Sequence, residues 1–194
     1  MQTVRIFITV TFSIPRPSTA AVAAQYLAEE GVFVGSKLGE QYYFEPEREV
    51  LRGEFLAMTL ELLGQDVTEV TMTGFCDDEV IPTWAKAYAA AGVAEGLVKG
   101  AVTEAGSAFR GEMPITFNEA ATVLDRVLRM ENVDLRVWYA DREAVPSWAA
   151  QAVANLESAR VLAAGSFGSA TMAEPICRAD AARMLAAAGT LLEK

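Results

Sequence analysis

The chain has 194 residues, 52% of them hydrophobic, with 16 Lys and Arg against 26 Asp and Glu, a formal charge of −10. So acidic a balance weighs against nucleic acid, whose phosphates need a basic footprint, and the apolar fraction excludes a disordered chain. Histidine is absent, which removes imidazole bases, Ser/His triads and His-containing zinc sites.

The first 17 residues, rich in β-branched and aromatic side chains, read as a strand that ends at Ile14-Pro15-Arg16-Pro17, a stiff linker. A strand without a partner in an otherwise helical chain suggests the end of a preceding domain. The rival reading is a weak signal peptide, with one arginine before a short, interrupted apolar core. No purely apolar run reaches about 18 residues, so no membrane insertion is expected.

The rest is organised by a repeat of about 65 residues, seen three times, over 18–66, 74–130 and 138–190. Pro82-Thr83-Trp84-Ala85 returns 64 residues on as Pro146-Ser147-Trp148-Ala149. Acidic stretches precede both, Phe75-Cys76-Asp77-Asp78 and Trp138-Tyr139-Ala140-Asp141, and Ala-rich segments follow them to Gly100 and Gly165. In the first copy, Gly31-Val32-Phe33-Val34-Gly35 matches Gly96 to Gly100, and Thr19 stands where the tryptophan would be.

Each unit reads as helix, loop, helix. In the second copy the first helix opens near Pro82 or Thr83, since proline suits a first turn, and Trp84 and Tyr88 share its face. The second helix carries apolar residues at three-and-four spacing: Ala120, Val123, Leu124, Val127 and Leu128. The other copies give Phe55, Leu56, Thr59, Leu60 and Leu63, then Ala181, Met184, Leu185 and Ala188. Three such stripes are expected to bundle, each covered by its own first helix, so that 18–190 forms one cooperative unit. Cys76 and Cys177 read as two buried small hydrophobes.

The acidic start, Pro-x-Trp-Ala, the Gly-rich exit, the Phe-bearing loop and the Ile-Thr-Arg-Ala-Glu-like helix start together resemble the S-layer homology repeat. The resemblance covers residues 18–190. It implies an all-α fold of three helix-loop-helix repeats around a central three-helix bundle with pseudo-threefold symmetry. It also implies a non-catalytic module at the cell surface, binding an anionic, often pyruvylated, secondary cell-wall polysaccharide linked to peptidoglycan. No cofactor and no metal is expected, and no enzyme motif supports catalysis. The alternative is a structural or protein-interaction scaffold whose glycan grooves have decayed. Oligomeric state is open.

Thr116 and Glu119 have capping-box spacing. Glu54 and Asp180 occupy the same place as Glu119 and favour the positive helix end. Arg52 and Arg178 fall in the first helical turn, where the dipole disfavours a cation. Either an ion pair compensates, or an external carboxylate binds between free helix amides and the forked guanidinium. The resemblance points to the second. Phe117 replaces this arginine in copy two. Copy three keeps both Trp148 and Arg178, which makes it the expected groove, and Arg52 marks a second.

Trp84 and Trp148 read either as buried between the helices of a repeat or as sugar-stacking platforms. Asp77, Asp78 and Asp141 order the entry turns by bonds to backbone amides, and by resemblance they are also groove residues. Gly35, Gly100 and Gly165 read as left-handed turn positions. At −10 the chain repels an anionic polymer at long range, so binding requires local positive sites.

Overall fold

The computed structural model describes residues 19–32, 35–38, 41–138 and 142–193. The N-terminal strand expected in 1–17 and Asp141 lie outside them. The described chain is mostly helical: α1 (Thr19–Glu29), α2 (Arg52–Leu62), α3 (Thr83–Ala94), α4 (Phe117–Leu128), the single turn α5 (Leu135–Trp138), α6 (Ala150–Ser158) and α7 (Arg178–Leu192). Two antiparallel hairpins interrupt it, β1 (Ser36–Leu38) with β2 (Gln41–Tyr43), and β3 (Ala101–Thr103) with β4 (Gly106–Ala108). The sequence reading placed only loops there. Both ladders are three residues long and follow an Ala-rich helix, too short to show an alternating pattern.

Helices α2, α4 and α7 contact one another pairwise and carry much of the core. Phe55, Leu56 and Leu60 of α2, Ala120, Ala121 and Leu124 of α4, and Ala181, Leu185 and Ala188 of α7 are buried. Just before these helices, three extended residues close a ring. The Val50 amide donates to the Ile176 carbonyl at 3.0 Å, Ile176 to Ile115 at 2.9 Å, and Ile115 to Val50 at 3.0 Å. All three residues are buried, so the ring gives each a partner for both backbone groups, away from water.

The outer helices are staggered. α3 packs chiefly on α2, α6 on α4, and α1 on α7. The expectation that each inner helix is covered by the first helix of its own repeat is therefore corrected. Close approach explains the stagger. A Cβ at Gly92 of α3 would lie 2.8 Å from a Leu56 methyl, and one at Gly189 of α7 would lie 3.1 Å from the Tyr26 hydroxyl.

The α4–α6 seam is polar at its centre. Asn155, fully buried, donates to Asp125 at 2.8 Å and Asn132 at 3.1 Å, and accepts from the Val133 amide and Gln151, each at 3.0 Å. A buried amide with all four bonds made fixes one docking geometry. Both cysteines are free; Cys76 is exposed and Cys177 half-buried, so neither is the buried hydrophobe expected. Cys76 opens a turn against the β-hairpin, its amide bound to Ser107. No helix among the described residues is long and apolar enough to cross a membrane.

Candidate functional site

The candidate residues cluster at the helix starts around the ring. Thr116 accepts from the Glu119 amide at 3.3 Å while Glu119 accepts from the Thr116 amide at 3.0 Å, the reciprocal cap that starts α4. Glu54 accepts from the Leu51 amide at 3.0 Å and Asp180 from that of Cys177 at 3.2 Å. Leucine has no acceptor, so α2 has half a box. Cys177 gives its thiol to Asp180 at 3.0 Å. Burial, then that bond, pushes the Cys177 thiol up from its usual range.

The first amides of these helices are not free. Arg52 and Gly53 donate to the Met113 and Gly111 carbonyls, both at 2.9 Å, and Arg178 and Ala179 donate to Arg48 and Pro46 at 2.8 and 2.9 Å. The bare-amide carboxylate cradle considered for Arg52 and Arg178 is thus filled by neighbouring loops, because a buried amide requires a partner.

The two arginines diverge. Arg178 is 4% exposed and donates to Glu45 at 2.8 Å, Ser36 at 2.8 Å and the Phe44 carbonyl at 3.3 Å. It ties the β1–β2 hairpin to α7. Arg52 forms an ion pair with Glu119, 67 positions on, and its buried Nε has no partner.

Two cavities flank them. The larger, about 450 Å³, is lined by Arg52, Lys99, Gly100, Arg110, Glu119, Arg126 and Trp148 together with apolar residues of α2 and α4. The smaller, about 180 Å³, is lined by Gly35, Val50, Glu54, Ala57, Met58, Trp84 and Arg178. Trp148 therefore shares a cavity with Arg52, and Trp84 shares one with Arg178. The expected pairing of Trp148 with Arg178 is corrected by the stagger, which carries each tryptophan away from its own second helix. Trp84 is 51% exposed and Trp148 59% exposed, so neither is buried between helices. Trp84 meets Tyr88 edge-on at 6.4 Å.

The larger cavity gathers four basic side chains against one carboxylate in a chain whose total is −10. Arg126 donates to the Leu97 carbonyl at 2.6 Å. Lys99 and Arg110 are exposed and in no ion pair among the described residues. The sequence reading made none of these three a site residue. Lys99 adjoins Gly100, which was singled out, and that adjacency was the available signal.

Asp77 and Asp78 line neither cavity. Asp77 accepts from the Phe109 and Arg110 amides, both at 2.8 Å. Asp78 accepts from Thr73 and from Lys86 at 2.6 Å. The Lys86 ammonium, then Thr73, holds the Asp78 carboxyl at about 2. Gly100 has φ +74°, and a Cβ there would lie 2.4 Å from the Ser107 hydroxyl and 2.7 Å from Phe75. Gly165 has φ +85°. Gly100 thus serves both the turn and the close approach of the hairpin.

No family model matches the chain. Over 118 residues, 59% of its length, it is 33% identical to a Surface-layer 125 kDa protein of Lysinibacillus sphaericus. The chain spans only 9% of that relative. Similarity to a surface-layer protein is the relationship this comparison gives. Among the described residues no group of three or more Cys, Asp or Glu is placed to hold a metal ion.

Proposed function

We propose that the chain is a non-catalytic anchoring module at the cell surface that binds an anionic secondary cell-wall polysaccharide, pyruvylated glycans being the leading candidates. The observation that carries this is the cavity of about 450 Å³, lined by four basic residues and by an exposed Trp148. Ligand pockets run from about 300 to 1,000 Å³; this cavity falls within that range, and the one beside Arg178, at about 180 Å³, falls below it. An indole at the rim offers a flat amphipathic face to a sugar. Similarity to a surface-layer protein supports an extracellular, wall-associated location.

In this reading the three repeats surround a pseudo-threefold axis through the Val50–Ile115–Ile176 ring, and each groove takes its arginine and its tryptophan from different repeats. The missing tryptophan at Thr19 and the missing arginine at Phe117 then fall in one and the same groove. Two grooves keep both residues, and the Arg52–Trp148 groove is the open one.

Co-sedimentation with Gram-positive sacculi, before and after stripping the secondary polymer, tests this. Binding should vanish on stripping and weaken at least about tenfold in Arg52→Ala and Trp148→Ala. The scaffold reading is favoured by the burial of Arg178 and by the filled helix amides. It becomes the working one if no intact wall binds the unmodified protein.

A further inference from the structure

Arg52 is one of the two arginines the sequence singles out as anion readers, yet its charge is already matched. Glu119 pairs with it across the α2–α4 boundary, and the same carboxylate caps Thr116, so it is held in place from both sides. The uncompensated positive charge in the cavity lies elsewhere. Lys99 and Arg110 flank the β3–β4 hairpin; both are exposed and neither is in an ion pair among the described residues. Arg126 stands on α4 with one guanidinium nitrogen tied to the Leu97 carbonyl. Two fixed anchors keep the hairpin side in place: the Ser107 hydroxyl donates to the Lys99 carbonyl at 2.8 Å, and Asp77 accepts from the Arg110 amide at 2.8 Å.

Building on the proposed polysaccharide site, we infer that the ligand's anionic substituent is read by Lys99, Arg110 and Arg126, while the Arg52–Glu119 pair is an electrically neutral floor that hydrogen-bonds sugar hydroxyls. Three like charges in one concave site would repel one another, a cost that an entering anion relieves. Concave walls focus that field, so a net-negative chain still draws a polyanion to this one place. The shared chemistry is an anionic group on a glycan. A ketal carboxylate and a backbone phosphodiester both supply it.

The experiment measures affinity of the full chain for purified wall polysaccharide across a range of salt. The arms are native polymer, polymer stripped of pyruvyl groups by mild acid, and a glycerol-phosphate oligomer. The variants are Lys99→Gln/Arg110→Gln, Arg52→Gln/Glu119→Gln, and Arg160→Gln/Arg183→Gln as a control for charge outside the cavity, with thermal melts confirming that each folds. The Lys99/Arg110 variant should lose at least about tenfold in affinity and most of its salt dependence, because screening acts on unpaired charge. The Arg52→Gln/Glu119→Gln variant removes both charges of the pair and leaves the net charge of the site unchanged, so it should lose affinity and keep the salt dependence of the unmodified protein. If the Lys99/Arg110 variant instead matches the control, or if the Arg52/Glu119 variant flattens the salt dependence, the inference is overturned while the anchoring function stands. Loss of binding on removal of pyruvyl groups assigns the anion as carboxylate; binding of the oligomer assigns phosphate. Should no polymer bind the unmodified protein, the anchoring function fails, and an NMR titration with pyrophosphate decides the inference separately. Shifts confined to Lys99–Ala101, Arg110 and Arg126 support it, and none there refutes it.

Discussion

Arg52 and Arg178 open α2 and α7 at the same helical position, and each has an exposed tryptophan beside it, yet one faces an open cavity and the other lies under a hairpin. The difference comes from the partner. Arg52 meets Glu119 on the neighbouring inner helix, a carboxylate that also caps its own helix. Glu54, the corresponding carboxylate beside Arg178, is instead paired with Arg48 at 2.9 Å. Arg178 turns to Glu45, Ser36 and the Phe44 carbonyl and becomes the tether of β1–β2. A matching residue at a matching position therefore does not carry a matching role; the acid that claims it decides.

The largest effect is expected from Arg178→Ala. It deletes three hydrogen bonds from a buried cation and should lower stability by about 3 kcal/mol in urea denaturation. Folded protein should keep the proposed wall binding at the larger cavity. An equal loss on Arg52→Ala would break the distinction between the two sites. Next comes Asn155→Ala, which leaves Asp125 and the Val133 amide without their partner under the segment that delivers Trp148. A cost of about 2 kcal/mol is expected, with binding reduced through loosening of α6.

Asp78→Asn sharpens the comparison from the Trp84 side, since Lys86 and Trp84 share α3. The folded carboxyl titrates at about 2, below its ordinary 3.8. Its contribution is therefore fully present above the ordinary value and disappears as pH falls through about 2. The variant should melt about 2 °C lower at neutral pH, and the gap should close in acid. Smallest of all is Trp84→Ala. Half exposed beside a cavity too small for a sugar chain, Trp84 should change stability by less than about 0.5 kcal/mol and leave wall binding intact, unlike Trp148→Ala.

Local chemistry was legible. The Thr116-x-x-Glu119 spacing anticipates the geometry at the start of α4 because a capping box is set within four residues. The face shared by Trp84 and Tyr88 follows from helical period alone. What was not legible lies between distant segments. Nothing near Arg178 in sequence announces Glu45, 133 positions away. The stagger of the outer helices depends on small residues such as Gly92 and Gly189 meeting Leu56 and Tyr26, and a stripe of apolar residues does not name its partner. Lys99, Arg110 and Arg126 come from a loop, a hairpin end and a helix, and only the fold makes them one cluster.

The seam between α1 and α7 differs in kind from the other two. α2 and α3 follow one another, and α4 and α6 are parted only by the single turn α5 and the residues around it, whereas α1 and α7 sit at opposite ends of the described residues. They meet where the Tyr26 hydroxyl closes on Gly189 and donates to Glu193 at 2.6 Å, beside fully buried Leu27 of α1. Loop-closure entropy rises with the length of chain enclosed, so this seam is the costliest of the three to form. That places the docking of α1 last in folding and its release first in unfolding. A probe of Leu27 would then report the release of α1 before the three inner helices come apart.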